Sequence, residues 1–208
     1  MVDNNGYLRV VDLGFAKQVP PGKKTWTFCG TPEYIPPEII SNSGHNIAAD
    51  YWSLGILVFE LLARRTPFRA KDDLAIYEGI LRGIQSIQFP SKMSRKAQSI
   101  IKDRIKISLP IFRVNTVKVI TSEMIFTRIK SLCRHDPSER LGYQKGGVGD
   151  IRKHRWFQGF DWQGLRDEKI EAPLIPSIKD PFDTSNFEKM ADTDNDIPDE
   201  TSGWDADF

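Results

Sequence analysis

The sequence predicts a mainly α fold ending in an extended C-terminal tail, and three observations carry that expectation. Residues 50–62, Asp50-Tyr51-Trp52-Ser53-Leu54-Gly55-Ile56-Leu57-Val58-Phe59-Glu60-Leu61-Leu62, are apolar nearly all round and too long for a strand. Leu74, Tyr77, Ile80 and Leu81 recur at helical spacing after Asp73 and stop before Gly83. The last stretch instead carries Pro173, Pro176 and Pro181 ahead of an acidic end, with no core-forming period. At 208 residues and 39% hydrophobic content, the chain is long enough to bury one core.

Taken in order, Gly6-Tyr7-Leu8-Arg9-Val10-Val11 alternates weakly and predicts a short strand or half a hairpin that ends at Asp12. Asp12-Leu13-Gly14, by itself, is a turn. A polar, Thr-rich loop leads from it to Pro36-Pro37-Glu38. Asp50 is placed to cap the apolar helix, and Thr66-Pro67-Phe68 breaks it. Within that helix Glu60 is either a solvated end or a carboxylate that needs a partner. A further helix is expected from Ser94, with Ala97, Ile100 and Ile101 on one face.

The helical pattern then fails. Arg104 to Leu109, Phe112-Arg113-Val114 and Val117-Lys118-Val119 alternate with the period of a strand inside helical surroundings. Removing Asp103 to Lys130 joins Lys102 to Ser131 and puts Ala97, Ile100, Ile101, Leu132 and Cys133 on one helical stripe. Residues 103–130 are therefore expected to be an insertion. It either loops out from the surface or is an error of the coding-sequence prediction, because its local preference contradicts what flanks it. Pro137 to Gly142 then forms a turn, and Asp150 to Phe157 a short helix.

Composition removes several classes. The most apolar run, Leu54 to Ala63, is short and contains Glu60, which excludes a membrane span. Nine acidic residues between Asp183 and Phe208 face only Lys189, so the formal +1 of the chain divides into a basic body and an acidic tail. The basic residues are scattered without a reading module, which excludes nucleic acid as partner. Met1 runs into a polar turn rather than a secretory signal, and Cys29 and Cys133 lie far apart, so a reducing, cytoplasmic setting is expected.

Several motifs in fixed order resemble a known family. Asp12-Leu13-Gly14, the loop Lys24-Thr25-Trp26-Thr27-Phe28-Cys29-Gly30-Thr31-Pro32-Glu33-Tyr34, Pro36-Pro37-Glu38, Ala49-Asp50-Tyr51-Trp52-Ser53-Leu54-Gly55, Glu139-Arg140-Leu141-Gly142 and the terminal Ser202-Gly203-Trp204-Asp205-Ala206-Asp207-Phe208 are similar to the large lobe and tail of AGC-group serine/threonine protein kinases, above all the cGMP-dependent ones. Leu13 and Pro36 depart from the Asp-Phe-Gly and Ala-Pro-Glu patterns while keeping apolar character. The resemblance implies a partial kinase domain over residues 1–157 and an AGC extension over 158–208.

It also implies roles. Asp12 matches the carboxylate that holds Mg²⁺ across the ATP phosphates. Thr27 matches the activation-loop phosphorylation site, and Lys17 a cation that pairs with its phosphate. Thr25 and Lys24 are expected as flanking surface residues. Phe28, Pro32 and Ile35 match the wall that receives the side chain after the phosphorylated residue, and Glu33 and Glu60 the acidic groups that receive basic residues before it. Glu38 and Arg140 match a buried ion pair, and Asp50 a carboxylate that braces the catalytic loop. Phe187, in Asp183-Thr184-Ser185-Asn186-Phe187, matches a residue placed near adenine. Cys29 is expected to be a passive small residue, with a redox-sensitive thiol as the alternative.

No Gly-x-Gly-x-x-Gly, Val-Ala-x-Lys or His-Arg-Asp-x-x-x-x-Asn occurs. Met1 thus matches an internal methionine of a longer ATP-dependent kinase, and these residues alone are not expected to transfer phosphate. Its partners would be protein substrates with basic residues near Ser/Thr, the small lobe, and cGMP-binding regulatory domains. The alternatives are a non-catalytic module that binds basic peptides or another kinase lobe, and an incomplete gene prediction.

Overall fold

The computed structural model describes residues 1–88, 122–154, 157, 159–180 and 182–188. Over these the chain forms α1 (Pro37–Ile40), α2 (Ala48–Ala63), α3 (Asp73–Arg82), α4 (Ser122–Leu132), α5 (Val148–Arg152) and α6 (Trp162–Arg166), with 3₁₀ turns at Pro32–Tyr34, Ile84–Ser86 and Pro137–Glu139. The fold is mainly α. The helix expected from Ser94, residues 103–121, and the tail beyond 188 lie outside the described residues.

The alanines at 48 and 49 are strong helix formers, and Asn46 Oδ1 accepts from Ala48 N at 3.0 Å, so α2 begins before Asp50. Asp50 is therefore not the cap. It occupies the first turn, where a negative charge faces the positive end of the helix. At the other end Arg64 adopts φ 57°, and its N–H donates to Glu60 O at 2.7 Å. Ala48, Trp52, Gly55, Ile56 and Phe59 are buried along one face. The apolar composition suggests burial all round, yet Leu54, Leu57 and Leu61 are exposed on the other side, because no described element lies over them.

The inner face of α2 packs on α4. A Cβ at Gly55 would lie 2.4 Å from Cys133 Sγ and 3.0 Å from Leu132 Cβ, so the absence of a side chain lets the two helices approach. Ile125, Ile129, Leu132 and Cys133 form the buried stripe on the α4 side. Residues 122–130, assigned by the sequence pattern to the insertion, are thus part of a core helix that runs straight through the expected junction at Lys130–Ser131. The period-two character ends before Ser122, and 125, 129, 132 and 133 repeat at helical spacing as well as the residues they replace.

Asp72 caps α3 by accepting from Ala75 N at 2.9 Å, and Gly83, at φ 85°, ends it. Of the expected stripe, Ile80 is buried and Leu74 and Leu81 are 70% and 44% exposed; Ile76, outside that stripe, is the other buried residue of the helix. Phe68, packed beside Gly79, and Ile84 meet the face that carries 76 and 80, and they decide the rotation of the helix. Phe68 also stacks on Trp52, with ring centroids 6.0 Å apart and planes within 6°.

Gly6 to Val11 forms no regular strand but is half a hairpin, the other form expected, with Asp3 N donating to Tyr7 O and Arg9 N to Met1 O, both at 2.8 Å. A single antiparallel bridge, Val2 to Leu8, closes a turn, and Leu8 and Val10 stay exposed because no described strand pairs with them. The tail crosses this turn. The Tyr7 hydroxyl donates to Ile170 O, and Arg9 pairs with both Asp3 and Glu168. A Cβ at Gly6, φ 83°, would stand 2.2 Å from Leu174 O, so only glycine admits the crossing chain. The helix expected at 150–157 is shorter, ending at Arg152. No helix among the described residues is long and apolar enough to cross a membrane.

Candidate functional site

The loop before α1 is held by backbone. Thr25 N donates to His45 O at 2.9 Å and His45 N to Thr25 O at 2.8 Å, an antiparallel bridge to the segment that leads into α2. Lys17 Nζ donates to Thr25 Oγ1 at 2.8 Å, and Lys24 Nζ to Ser43 O at 3.2 Å. Trp26 lies against Gly44, where a Cβ would come within 2.9 Å of its ring. Thr25 is therefore not a surface residue but a buried anchor. Lys24, though exposed, is tied to the same loop. Burial lowers the pKa of His45; the Lys17 charge adds to this, and Glu38 and Asp50 oppose it.

Anchoring at Thr25 leaves Thr27 and Phe28 exposed two and three residues on. Lys17 Nζ thus ends on the Thr25 hydroxyl, two residues before Thr27 in the chain. The rings of Phe28 and Tyr77 of α3 meet in a T-shaped contact, with centroids 6.0 Å apart and planes at 90°.

Beyond Phe28, the 3₁₀ turn Pro32–Tyr34 gathers two carboxylates. The Thr66 hydroxyl donates to Glu33 Oε2, and the Tyr34 hydroxyl donates to Glu60 Oε2. Ser53 Oγ holds the turn by donating to Tyr34 O at 3.0 Å. Burial, the bond to Glu60 and the charges of Glu60 and Glu33 push the Tyr34 pKa up to about 12. Glu60 is thus neither a solvated helix end nor without a partner. Sequence reasoning missed Tyr34 and Thr66; the signal available was their adjacency to Glu33 and to the break after α2. Of the expected wall, Phe28 is exposed, Pro32 half-buried, and Ile35 only 3% exposed, so Ile35 supports the turn and offers almost no surface.

Glu38 and Arg140 form a bidentate pair, Nη1 to Oε1 and Nη2 to Oε2 both at 2.6 Å. Arg140 is 0% and Glu38 5% exposed. Arg140 Nη1 also donates to Ala48 O at 2.9 Å and Nε to Arg134 O at 2.9 Å, and its guanidinium lies 5.2 Å from the Trp52 ring centroid. One side chain thereby joins α1, the start of α2, and the loop after α4.

Asp12 adopts φ 60° and is exposed, with Oδ1 accepting from Gly14 N at 3.3 Å. No cluster of three or more His, Cys, Asp or Glu suited to a metal exists among the described residues. A lone open carboxylate fits Mg²⁺ as one ligand beside nucleotide phosphates, the usual way that ion is held. Phe187 is exposed, and no hydrogen bond or ring contact joins it to Asp12.

The two cysteines differ sharply. Cys133 is buried against Trp52 O at 3.6 Å, and burial drives its pKa far up, whereas Cys29 is half-buried. A chromogenic disulfide reagent at pH 8 is expected to react with one thiol in the native chain and with the second only after unfolding in urea. Two native thiols reacting at equal rates would contradict the packing of α2 on α4.

The described residues thus hold an exposed threonine on a loop anchored by one backbone bridge, two carboxylates each bonded by a hydroxyl, and a buried Glu–Arg clamp. The chain belongs to the protein kinase family: residues 1–157 match the protein kinase domain. Over its whole length it is similar to cGMP-dependent protein kinases. It is 45% identical to the cGMP-dependent protein kinase egl-4 of Caenorhabditis briggsae and 43% identical to human cGMP-dependent protein kinase 2, covering 24% of each. It is 47% identical to isozyme 1 of the cGMP-dependent protein kinase of Drosophila melanogaster, covering 23%. The chain therefore spans about a quarter of the length of these relatives.

Proposed function

We propose that these residues are the substrate-docking and regulatory part of an ATP-dependent serine/threonine protein kinase of the cGMP-dependent type. Residues 1–157 are its partial kinase domain and 158–208 its C-terminal extension. The observation that carries this reading is the pairing of Glu33 and Glu60 around Tyr34, next to the loop bearing Thr27 and Phe28. A carboxylate on the turn, Glu33, and one on α2, Glu60, attract the basic residues of a protein substrate. Phosphate on Thr27 adds about −1.5 to −2 charges, and Lys17, whose ammonium already bonds Thr25 two residues earlier, is the cation to meet it. Asp12 holds Mg²⁺ beside ATP, with Phe187 supplied to adenine by the tail. The small lobe and cGMP-binding domains are partners, the setting is cytoplasmic, and the chain by itself does not transfer phosphate.

One observation favours a second reading, a non-catalytic module that binds basic peptides: both acidic side chains are fixed by residues of this chain, Thr66 and Tyr34. Fluorescence anisotropy with a labelled peptide carrying two arginines ahead of serine tests the shared claim. Binding that weakens with salt, and about tenfold in Glu33→Gln or Glu60→Gln, is expected, since a hydrogen bond to a charged group contributes about 1.5–3 kcal/mol. Phosphorylation of that peptide from Mg-ATP by the purified chain would sink the claim of inactivity; binding indifferent to both substitutions would sink the docking site.

A further inference from the structure

We infer that Thr66 is a positioning residue of the docking site, whose hydroxyl holds the Glu33 carboxylate in place for a basic substrate side chain and leaves its charge free to meet it. The inference rests on the reading of Glu33 as a group that receives such a side chain. The Thr66 hydroxyl donates to Glu33 Oε2, and Thr66 itself is only 5% exposed. A buried hydroxyl needs a partner, so the bond is kept for the sake of Thr66 as well as Glu33.

The two carboxylates of the site differ in how they are held. Glu60 belongs to the last turn of α2, a helix of 16 residues whose inner face is buried. Glu33 sits in the middle of a three-residue 3₁₀ turn that no side chain caps, between extended residues at Thr31 and Ile35. Tyr34 N, donating to Thr31 O at 2.9 Å, places the backbone of that turn, but the carboxylate stands at the end of a long side chain with many rotamers. Thr66 supplies a fixed point. It follows the left-handed end of α2 at Arg64 and precedes Pro67 and Phe68, both buried, with Phe68 stacked on Trp52. Holding such a side chain before a ligand arrives removes an ordering cost from binding. The donor is also neutral. Among the described residues no ion pair engages Glu33. Arg65, next to Thr66 in the chain, instead lies over the Phe59 ring, 5.9 Å from its centroid, and donates to Thr66 O at 3.5 Å. A lysine or arginine in place of the hydroxyl would orient Glu33 and cancel its charge together, whereas threonine orients it and leaves the attraction for an incoming base.

The test uses the 208-residue chain and the labelled peptide Arg-Arg-Ala-Ser-Gly, followed by fluorescence anisotropy. Thr66→Val, which keeps the shape and removes the hydroxyl, is expected to weaken binding about fivefold, the size of one hydrogen bond or one immobilised side chain. Thr66→Ala, which cannot crowd the site, carries the same expectation if valine disturbs the fold. Thr66→Ser keeps the hydroxyl and is expected to bind within about twofold of the unaltered chain. The loss disappears when Glu33→Ala is already present and persists in full beside Glu60→Gln, a coupling that a merely structural role does not produce. Unchanged affinity in Thr66→Val, an equal loss in Thr66→Ser, or a loss that remains in the Glu33→Ala background overturns the inference. Binding that ignores Glu33→Gln but falls with Glu60→Gln also overturns it, while leaving a docking site at Glu60. If binding ignores both substitutions, the docking site itself is wrong, and the inference goes with it.

Discussion

Arg140→Ala is expected to lower the stability of the chain by about 3–5 kcal/mol, read as a fall in the urea midpoint at unchanged slope. The magnitude follows from what is left behind. Glu38 is 5% exposed and its two oxygens are both engaged by Arg140, so truncation strands a carboxylate away from water. Ala48 O and Arg134 O lose their donor at the same time, which loosens the start of α2 and the loop after α4 together. The Trp52 ring loses the guanidinium above it. Arg140→Lys keeps the charge but cannot present two parallel N–H groups, and it is expected to recover less than half the loss. A loss below about 1 kcal/mol, the range of exposed pairs, would mean that water reaches the pair.

Ile129→Ala is expected to cost about 2–5 kcal/mol by the same measurement, through lost burial and the cavity left behind. Ile129 is 0% exposed and belongs to the core formed with Trp52, Ile56, Phe59 and Ile80. Leu57→Ala, on the exposed side of α2, serves as the comparison and is expected to stay within about 0.5 kcal/mol. The pair of results decides where the interrupted helix resumes. If residues up to Lys130 stood outside the core, Ile129→Ala would resemble Leu57→Ala.

These two substitutions mark where sequence reasoning was sufficient and where it was not. The ends of α3 were legible because Asp73 and Gly83 act locally, although the capping side chain, Asp72, emerged only from the structure. Its buried face was legible only in part: Ile80 was expected and is buried, but Ile76 rather than Leu74 and Leu81 accompanies it, and Phe68 and Ile84 decide between the two rotations. The break in helical period after residue 102 was visible, but its far edge was not. A stripe ending in Leu132 and Cys133 is completed as well by Ile125 and Ile129 as by Ile100 and Ile101. In the site, Thr25 looked like a flanking surface residue because its anchor, His45, sits twenty positions away, and nothing local announces a single bridge.

The sequence by itself determined that the chain is mainly α, where α2 and α3 lie, and, through long motifs in order, that it is similar to cGMP-dependent protein kinases. Tertiary structure decided which helix faces are buried, that Ile125 and Ile129 of α4 join the core, that Thr25 is an anchor, and that Tyr77 stands beside Phe28. The division has one physical cause. Period and capping act within a few residues, whereas burial and pairing depend on contacts such as Glu38 to Arg140, 102 residues apart, which no local pattern encodes.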